Sequence, residues 1–395
     1  MAEIRKSHLK ILLVALLALL ILGAEQALLG IFIADRSNHG TGFVTNTNYG
    51  GIFFALHAAG AALTILCSML PLFSSATTLI VRFALLCLGG GLITLTFSQH
   101  WLVDFGASFL MGLGFGGINL GFNGFIAQTF QKYRTLLLNK LNAAFGIGAV
   151  LAPSLLVVES VTIGHIFAVT GTLALVLFFG VSHLDSDDHQ GASHVQRHAQ
   201  AFINWRHWGP VALVVALVLG LAVETSLIAW LPTVLQNWGM PAEQVAELMA
   251  GYFVYFLGAR IVATLISQRV SAAAMVAMSV LGAATVLSLV ALGVLENTSV
   301  VMVGGFVALL FPNLFGFSAG KLGNSQRGNA VLMLGGLGGS MIGPALVGLL
   351  ANIWPSLDIG LILTVLSVVA AVFITIVLIS MKRFNLLRMP PYPAN

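Results

Sequence analysis

The sequence predicts an all-α membrane protein with twelve transmembrane helices in two pseudo-symmetric six-helix bundles. Three observations predict it. The first is composition: 58% of the 395 residues are hydrophobic, 8% are charged, and mean hydropathy is +0.99. Soluble domains carry about 25% charged residues, so a soluble enzyme, a nucleic-acid binder and a disordered hub are excluded. The second is that the apolar residues fall in long runs, and about 20 residues cross a bilayer as a helix. The third is the segregation of Lys and Arg into alternate loops, which an odd number of spans would scramble. The net charge of +4 reflects those loops and not a basic nucleic-acid groove.

The first span, 10–34, follows Arg5, Lys6 and Lys10. Its opening could be read as a secretory signal ending at Leu22-Gly23-Ala24, but the apolar stretch resumes after Glu25 and runs to Ala34. That length suits a span better. Spans at 50–70 and 77–98 come next and hold His57, Cys67 and Cys87. Both cysteines lie in apolar runs, so they form neither a disulfide framework nor a CxxC metal site. The fourth span, 102–128, is crowded with glycine and carries Asn119 and Asn123. The fifth, 138–158, opens near Asn142 and contains Gly146, Gly148 and Pro153, and the sixth is 161–183.

A polar stretch at 184–207 then separates six further spans, at 209–236, 243–268, 272–294, 299–321, 328–352 and 358–380. The expected organisation is an N-terminal bundle (1–183), a cytoplasmic linker (184–207), a C-terminal bundle (208–381) and a tail (382–395). Lys132, Arg134, Lys140, Arg197, Arg206, Arg269, Lys321, Arg327, Lys382, Arg383 and Arg388 join the N-terminal bases on one side. The opposite loops hold only Arg36 among bases, beside Asp35, Asp104, Glu159, Glu243, Glu247, Glu296 and Asp358. Positive charge marks the cytoplasmic side, so both termini are expected there, in a bacterial-type inner membrane.

The two halves superpose in parallel. Glu25 lies 15 residues after Lys10, and Glu224 lies 15 residues after Gly209. Gly23-Ala24-Glu25-Gln26-Ala27-Leu28 matches Ala222-Val223-Glu224-Thr225-Ser226-Leu227, and Gly148 and Pro153 are spaced like Gly339 and Pro344. Parallel six-helix repeats around a central site are the plan of one transporter class. The segments Leu138-Asn139-Lys140-Leu141-Asn142-Ala143-Ala144-Phe145-Gly146-Ile147-Gly148-Ala149 with Pro153, Ala222-Val223-Glu224 with Trp230-Leu231-Pro232, and Phe311-Pro312-Asn313 with Gly335-Gly336-Leu337-Gly338-Gly339 and Pro344 carry a more specific likeness. On them the chain resembles the major facilitator superfamily over essentially its full length, most like the fucose–galactose–proton symporter group. It departs from the family after the second span, where Pro71-Leu72-Phe73-Ser74-Ser75 replaces a Gly-rich loop bearing Asp and Arg. The second-half counterpart, Ser267-Gln268-Arg269, keeps only the Arg.

Glu25 and Glu224 are the strongest candidates for chemistry. A carboxylate at mid-bilayer costs about 2.5–3.5 kcal/mol, so such residues face a cavity, pair with a polar group or carry protons. With His57, which titrates near neutrality as a residue type, they are the candidate proton-coupling residues. The resemblance implies coupling through embedded acids of the first half, a role Glu25 fits, although the fourth span offers no second acid. Amides both donate and accept, so Asn119, Asn123, Asn142, Asn313 and Gln26 are candidates for reading solute hydroxyls. Interhelical glue is the blander use, worth about 0.6 kcal/mol each. Asn119 and Asn123 share one helix face, whereas Gln26 points about 100° away from Glu25. Trp230 is a candidate to stack on a sugar ring, as are Tyr252 and Tyr255, although aromatics also anchor spans at the interface. Arg260, about two turns from the cytoplasmic end of its span, is expected to snorkel or to make a gate contact there.

Two motifs are set aside. Gly316-Phe317-Ser318-Ala319-Gly320 matches the GxSxG pattern, but inside an apolar helix it lacks the strand-to-helix turn a nucleophile needs. His183, His189, His194, His198 and His207 sit among Asp185, Asp187 and Asp188 in the linker, which reads as solvated chain, and no metal site is assigned. No nucleotide-binding motif is visible, so an ion gradient should drive the protein. The expectation is a secondary active transporter, not an enzyme, with no cofactor. Its coupling ion would be H+, with Na+ as the alternative. The resemblance implies symport of a sugar or similar small polar solute. The alternative is a proton-coupled exporter of drugs or metabolites. The expected surroundings are the lipid bilayer and the solute, with no nucleic acid, and the expected state is a monomer.

Overall fold

The computed structural model describes residues 6–38, 48–68, 77–130, 134–181, 208–266, 269–322 and 326–383. The linker histidines and the loop at 71–75 lie outside the described residues, as does the tail from 384 onwards. Among the described residues every regular element is helical. Six helices form the first half: α1 (Lys6–Asn38), α2 (Asn48–Ser68), α3 (Thr77–Phe97), α4 (Trp101–Thr129), α5 (Arg134–Leu155) and α6 (Ile163–Gly180). The second half holds α7 (Trp208–Asn237), α8 (Ala242–Ile266), α9 (Ala272–Ala291), α10 (Val303–Val307), α11 (Leu310–Lys321), α12 (Gln326–Ile353) and α13 (Ile359–Arg383). A 3-10 segment, Asn297–Met302, leads into α10 and α11, and together they make one span, Asn297–Lys321. Eleven described segments are long and apolar enough to cross a membrane, and the apolar part of α5, Lys140–Leu155, is the twelfth, shorter one. The fold is therefore the expected twelve-helix arrangement.

Local chemistry sets the helix ends. The His100 ring accepts from the Leu102 amide at the start of α4, Thr162 and His165 form a reciprocal cap on α6, and Ser271 caps α9. These side chains satisfy amides that have no partner within the helix. Gly239 and Gly293 end α7 and α9 at φ of 85° and 69°, where a Cβ would be strained. The tenth span breaks because Pro312 has no N–H. The carbonyl four residues before it, that of Ala308, is left without a helical donor.

Within the first half, α3 packs on α4 and α6, α2 on α4, and α1 on α5 and α6. In the second, α7 packs on α12 and α13, α9 on α13 and α11, and α8 on α10. Large apolar side chains such as Leu79, Phe97, Phe179 and Leu265 point outwards, as lipid tails permit. Lipid supplies no hydrophobic drive between helices, so close backbone approach through small residues holds the bundles. A Cβ on Gly23 would lie 2.7 Å from the Phe145 carbonyl carbon, and one on Gly148 would lie 2.8 Å from that of Leu20. This reciprocal pair fixes the α1–α5 crossing. Gly112 likewise sits against the backbone of His57, and Gly339 against that of Val218.

The halves meet through α1–α7, α2–α12 and α5–α8. Several of these contacts lie at the membrane face where α1 ends and α2 begins. Gly30 rests on the carbonyls of Ile228 and Ala229, Gly50 lies under the Trp230 ring, and Gly51 touches Ala345. Pro232 cannot donate to the carbonyl of Ile228, which leaves that oxygen free for the Gly30 backbone.

Candidate functional site

The first half assembles a buried carboxylate–imidazole pair. Glu25 Oε1 on α1 and His57 Nε2 on α2 are 2.7 Å apart, with side-chain exposures of 0% and 8%. Three close packings place them. The Gly23–Gly148 crossing sets the turn of α1 that carries Glu25, Gly112 lets α4 press on the backbone of His57, and the Phe115 ring meets the imidazole edge-on. Gln26, expected to point elsewhere, turns its amide back so that Nε2 stands 3.5 Å from Glu25 Oε2. Asn119, one turn along α4 from Phe115, donates Nδ2 to the Phe115 carbonyl at 3.0 Å. Its amide oxygen stays available as an acceptor. Asn123 is partly buried and Asn142 is exposed.

The second half assembles a different group. Glu224 is buried, and its Oε2 has no hydrogen-bond partner. The Tyr252 hydroxyl on α8 is fully enclosed and also lacks one. Arg260, two turns further along α8, interacts electrostatically with both Glu224 and Tyr252. Its guanidinium lies over the Phe256 ring at 4.4 Å, and its Nε donates to the Ala308 carbonyl at 3.3 Å. That acceptor is the carbonyl freed by Pro312. Arg260, expected to snorkel or to make a gate contact, is partly buried, and a proline on a neighbouring helix supplies the acceptor for its Nε. A proline four residues after Ala308 was the available sequence signal.

Trp230, expected as a sugar-stacking residue, is 1% exposed. It lies between the halves, donating Nε1–H to the Pro344 carbonyl at 3.0 Å. Asn313 spends its Nδ2 on the Leu309 carbonyl at 2.7 Å. Tyr255 is exposed. The GxSxG residues lie within α11, as a chance match in a helix would.

Sequence reasoning missed one network. Tyr49 Oη donates to Asp104 Oδ2 at 2.5 Å, and Arg36 pairs with Asp104 at 3.8 Å while donating to the Ser98 carbonyl. These groups tie together α1, α2, the α3–α4 turn and α4. Arg36 and Asp104 read as ordinary loop charges, yet Arg36 was the lone base on its side of the membrane, and that was the signal. Among the described residues no three His, Cys, Asp or Glu gather as metal ligands.

A membrane-type helical bundle in two halves, with ionisable groups held in its interior, fits the plan of a transporter. The comparisons agree. The Major Facilitator Superfamily model matches residues 14–330, so the chain belongs to that superfamily. No curated protein sequence matches the chain. Among solved structures, a D-xylose–proton symporter matches with TM-score 0.66 at 16% identity, over 93% of this chain and 97% of that one. A peptide transporter POT, in complex with sulfate, matches with TM-score 0.71 at 13% identity, over 96% and 95%. The nucleoside transporter NupG matches with TM-score 0.69 at 11% identity, over 96% and 100%. The protein is a multi-pass membrane transporter of the major facilitator fold.

Proposed function

We propose that the protein is a secondary active transporter that couples proton movement to symport of a sugar or similar small polar solute by alternating access. The observation that carries this reading is the 2.7 Å contact between Glu25 and His57, buried between two spans. With a neutral imidazole donating to the carboxylate, the pair has net charge −1. One added proton makes it imidazolium and carboxylate, net zero. A buried net charge is costly and a paired one is less so. Loading a proton therefore removes a penalty on any rearrangement that carries the pair through the membrane interior. Sodium is the alternative ion.

The few interior charges support a neutral solute. Arg260 and Glu224 offset one another, and the amides of Gln26, Asn119, Asn123 and Asn142 supply hydroxyl-reading groups. Similarity to proteins described as sugar–proton, peptide and nucleoside transporters supports a polar solute, and the resemblance to the fucose–galactose–proton group points to sugars. Units 1–183 and 208–381 would rock about the central site, joined by the linker 184–207. The Lys and Arg pattern supports cytoplasmic termini in an inner membrane, and nothing in the fold calls for an oligomer.

The test is proton flux into proteoliposomes on adding each of a panel of hexoses, pentoses and polyols. Solute-dependent acidification that is lost in Glu25→Gln is expected. Silence from folded protein across the panel would refute sugar symport and favour the exporter of drugs or metabolites.

A further inference from the structure

Two polar atoms buried in one half of the molecule, Glu224 Oε2 and Tyr252 Oη, have no hydrogen-bond partner. Each such group is destabilising while unpaired, and nearly all buried polar groups in folded proteins are paired. Packing alone would favour Gln, Leu or Phe at these places. Both atoms lie in the electrostatic field of Arg260. Arg260 itself is held by Nε on the Ala308 carbonyl and by the Phe256 ring. Tyr252 is fixed in turn by Gly304, whose missing side chain lets α10 lie on its ring. Arg260 and Tyr252 are thus held in place, while Glu224 Oε2 and Tyr252 Oη stay unsatisfied.

Resting on the symport reading, we propose that Glu224, Tyr252 and Arg260 form a subsite in the second half for a neutral hydroxyl-bearing group of the solute, a vicinal diol being the simplest. The carboxylate and guanidinium cancel, so a neutral group enters without leaving a net charge. Glu224 requires a donor, Tyr252 can donate or accept, and a hydroxyl provides both roles. An anionic group would meet Glu224 unpaired, and a cationic one would meet Arg260. The two halves then divide the work: Glu25 and His57 take the proton, and Glu224, Tyr252 and Arg260 take the solute.

The test is counterflow exchange of radiolabelled D-xylose, D-galactose and D-mannitol in proteoliposomes with no proton gradient, which isolates solute recognition from coupling. Tyr252→Phe is expected to raise the apparent KM about tenfold, the effect of about one hydrogen bond. The same variant should melt no lower than wild type, because it removes only an unpartnered hydroxyl. A purely structural tyrosine would show the reverse. Among deoxy analogues of the exchanged solute, one should lose affinity in wild type and lose none further in Tyr252→Phe. Glu224→Gln should also raise KM, and Glu224→Gln with Arg260→Gln keeps the site neutral if the single variant fails to fold. Wild-type exchange with an unchanged KM in folded Tyr252→Phe and in the double variant would overturn the subsite alone. No exchange of any of the three probes by folded wild type would overturn both the subsite and the sugar reading.

Discussion

Removing either partner of the Glu25–His57 contact should cost more than removing both in sequence would suggest. His57→Leu leaves a carboxylate whose side chain is 0% exposed with only the Gln26 amide, 3.5 Å from its other oxygen. Breaking a buried charged pair costs about 3–5 kcal/mol when the survivor stays ionised, and less once it takes up a proton. Glu25→Gln keeps the shape and loses the charge, so it should cost about 1.5–3 kcal/mol, the worth of a hydrogen bond to a charged group. In the double variant no charge remains to be stranded. A double-mutant cycle on detergent-solubilised protein, read from denaturant midpoints, should therefore give a coupling energy of about 1.5–3 kcal/mol. Transport should divide accordingly. Glu25→Gln should retain counterflow exchange, which needs no proton, and lose gradient-driven accumulation. Additivity within about 0.5 kcal/mol would show that the short contact contributes no net energy. Full accumulation by Glu25→Gln would refute its coupling role.

Other expectations follow from individual contacts. Gly148→Ala should destabilise by about 1–3 kcal/mol, because its Cβ would lie 2.8 Å from the Leu20 carbonyl carbon where ordinary contact begins near 3.4 Å. An unchanged denaturation midpoint would mean that α1 and α5 are not locked at that crossing. Tyr49→Phe should cost about 1–3 kcal/mol, leaving Asp104 Oδ2 without its 2.5 Å donor. A midpoint equal to wild type would show that Arg36 satisfies Asp104 unaided. Trp230→Ala removes the indole that lies against Gly50 of α2, a contact between the halves, together with the donor to the Pro344 carbonyl within the second half. Losing that packing should shift the protein about tenfold towards states open at that face. An impermeant maleimide should then label Gly51→Cys faster, and equal labelling rates would exclude Trp230 as a latch.

The fold was legible because membrane insertion writes itself into composition: each span needs a long apolar run, and each pair of spans a change in loop charge. The 3-10 start and the break before α11 were harder to read, since hydropathy is continuous across Val300 to Leu310. Only the missing N–H of Pro312 signals that break. The acidic candidates were visible singly, because any carboxylate in an apolar run is conspicuous. Their partners were not. His57 lies 32 residues from Glu25 and Arg260 lies 36 from Glu224, and which helices bring them together depends on glycines at crossings, not on spacing along the chain. Trp230 was conspicuous by type, and its place was not legible. Residue type suggested sugar stacking, but Gly50, which lets the backbone of α2 approach the indole, decided its place.

That dependence on crossings also explains why two glutamates at matching repeat positions have different surroundings. In the first half the glycine of the crossing, Gly148, rests on the carbonyl of Leu20, five residues before Glu25. In the second, Gly339 rests on that of Val218, six residues before Glu224. A helix turns about 100° per residue, so one residue of register turns the two carboxylates differently towards the second helix of their halves, and that helix carries different residues in each. Glu25 thereby meets a histidine on α2, and Glu224 lies in the field of an arginine and a tyrosine on α8. The repeat supplies the same acid twice, and the different residues of α2 and α8 give each a separate chemistry. The position of α8 that corresponds to His57 in the repeat is Phe256, and α8 holds no histidine, so Phe256→His, and not a change of Glu224 itself, would be the way to bring the second site towards the first.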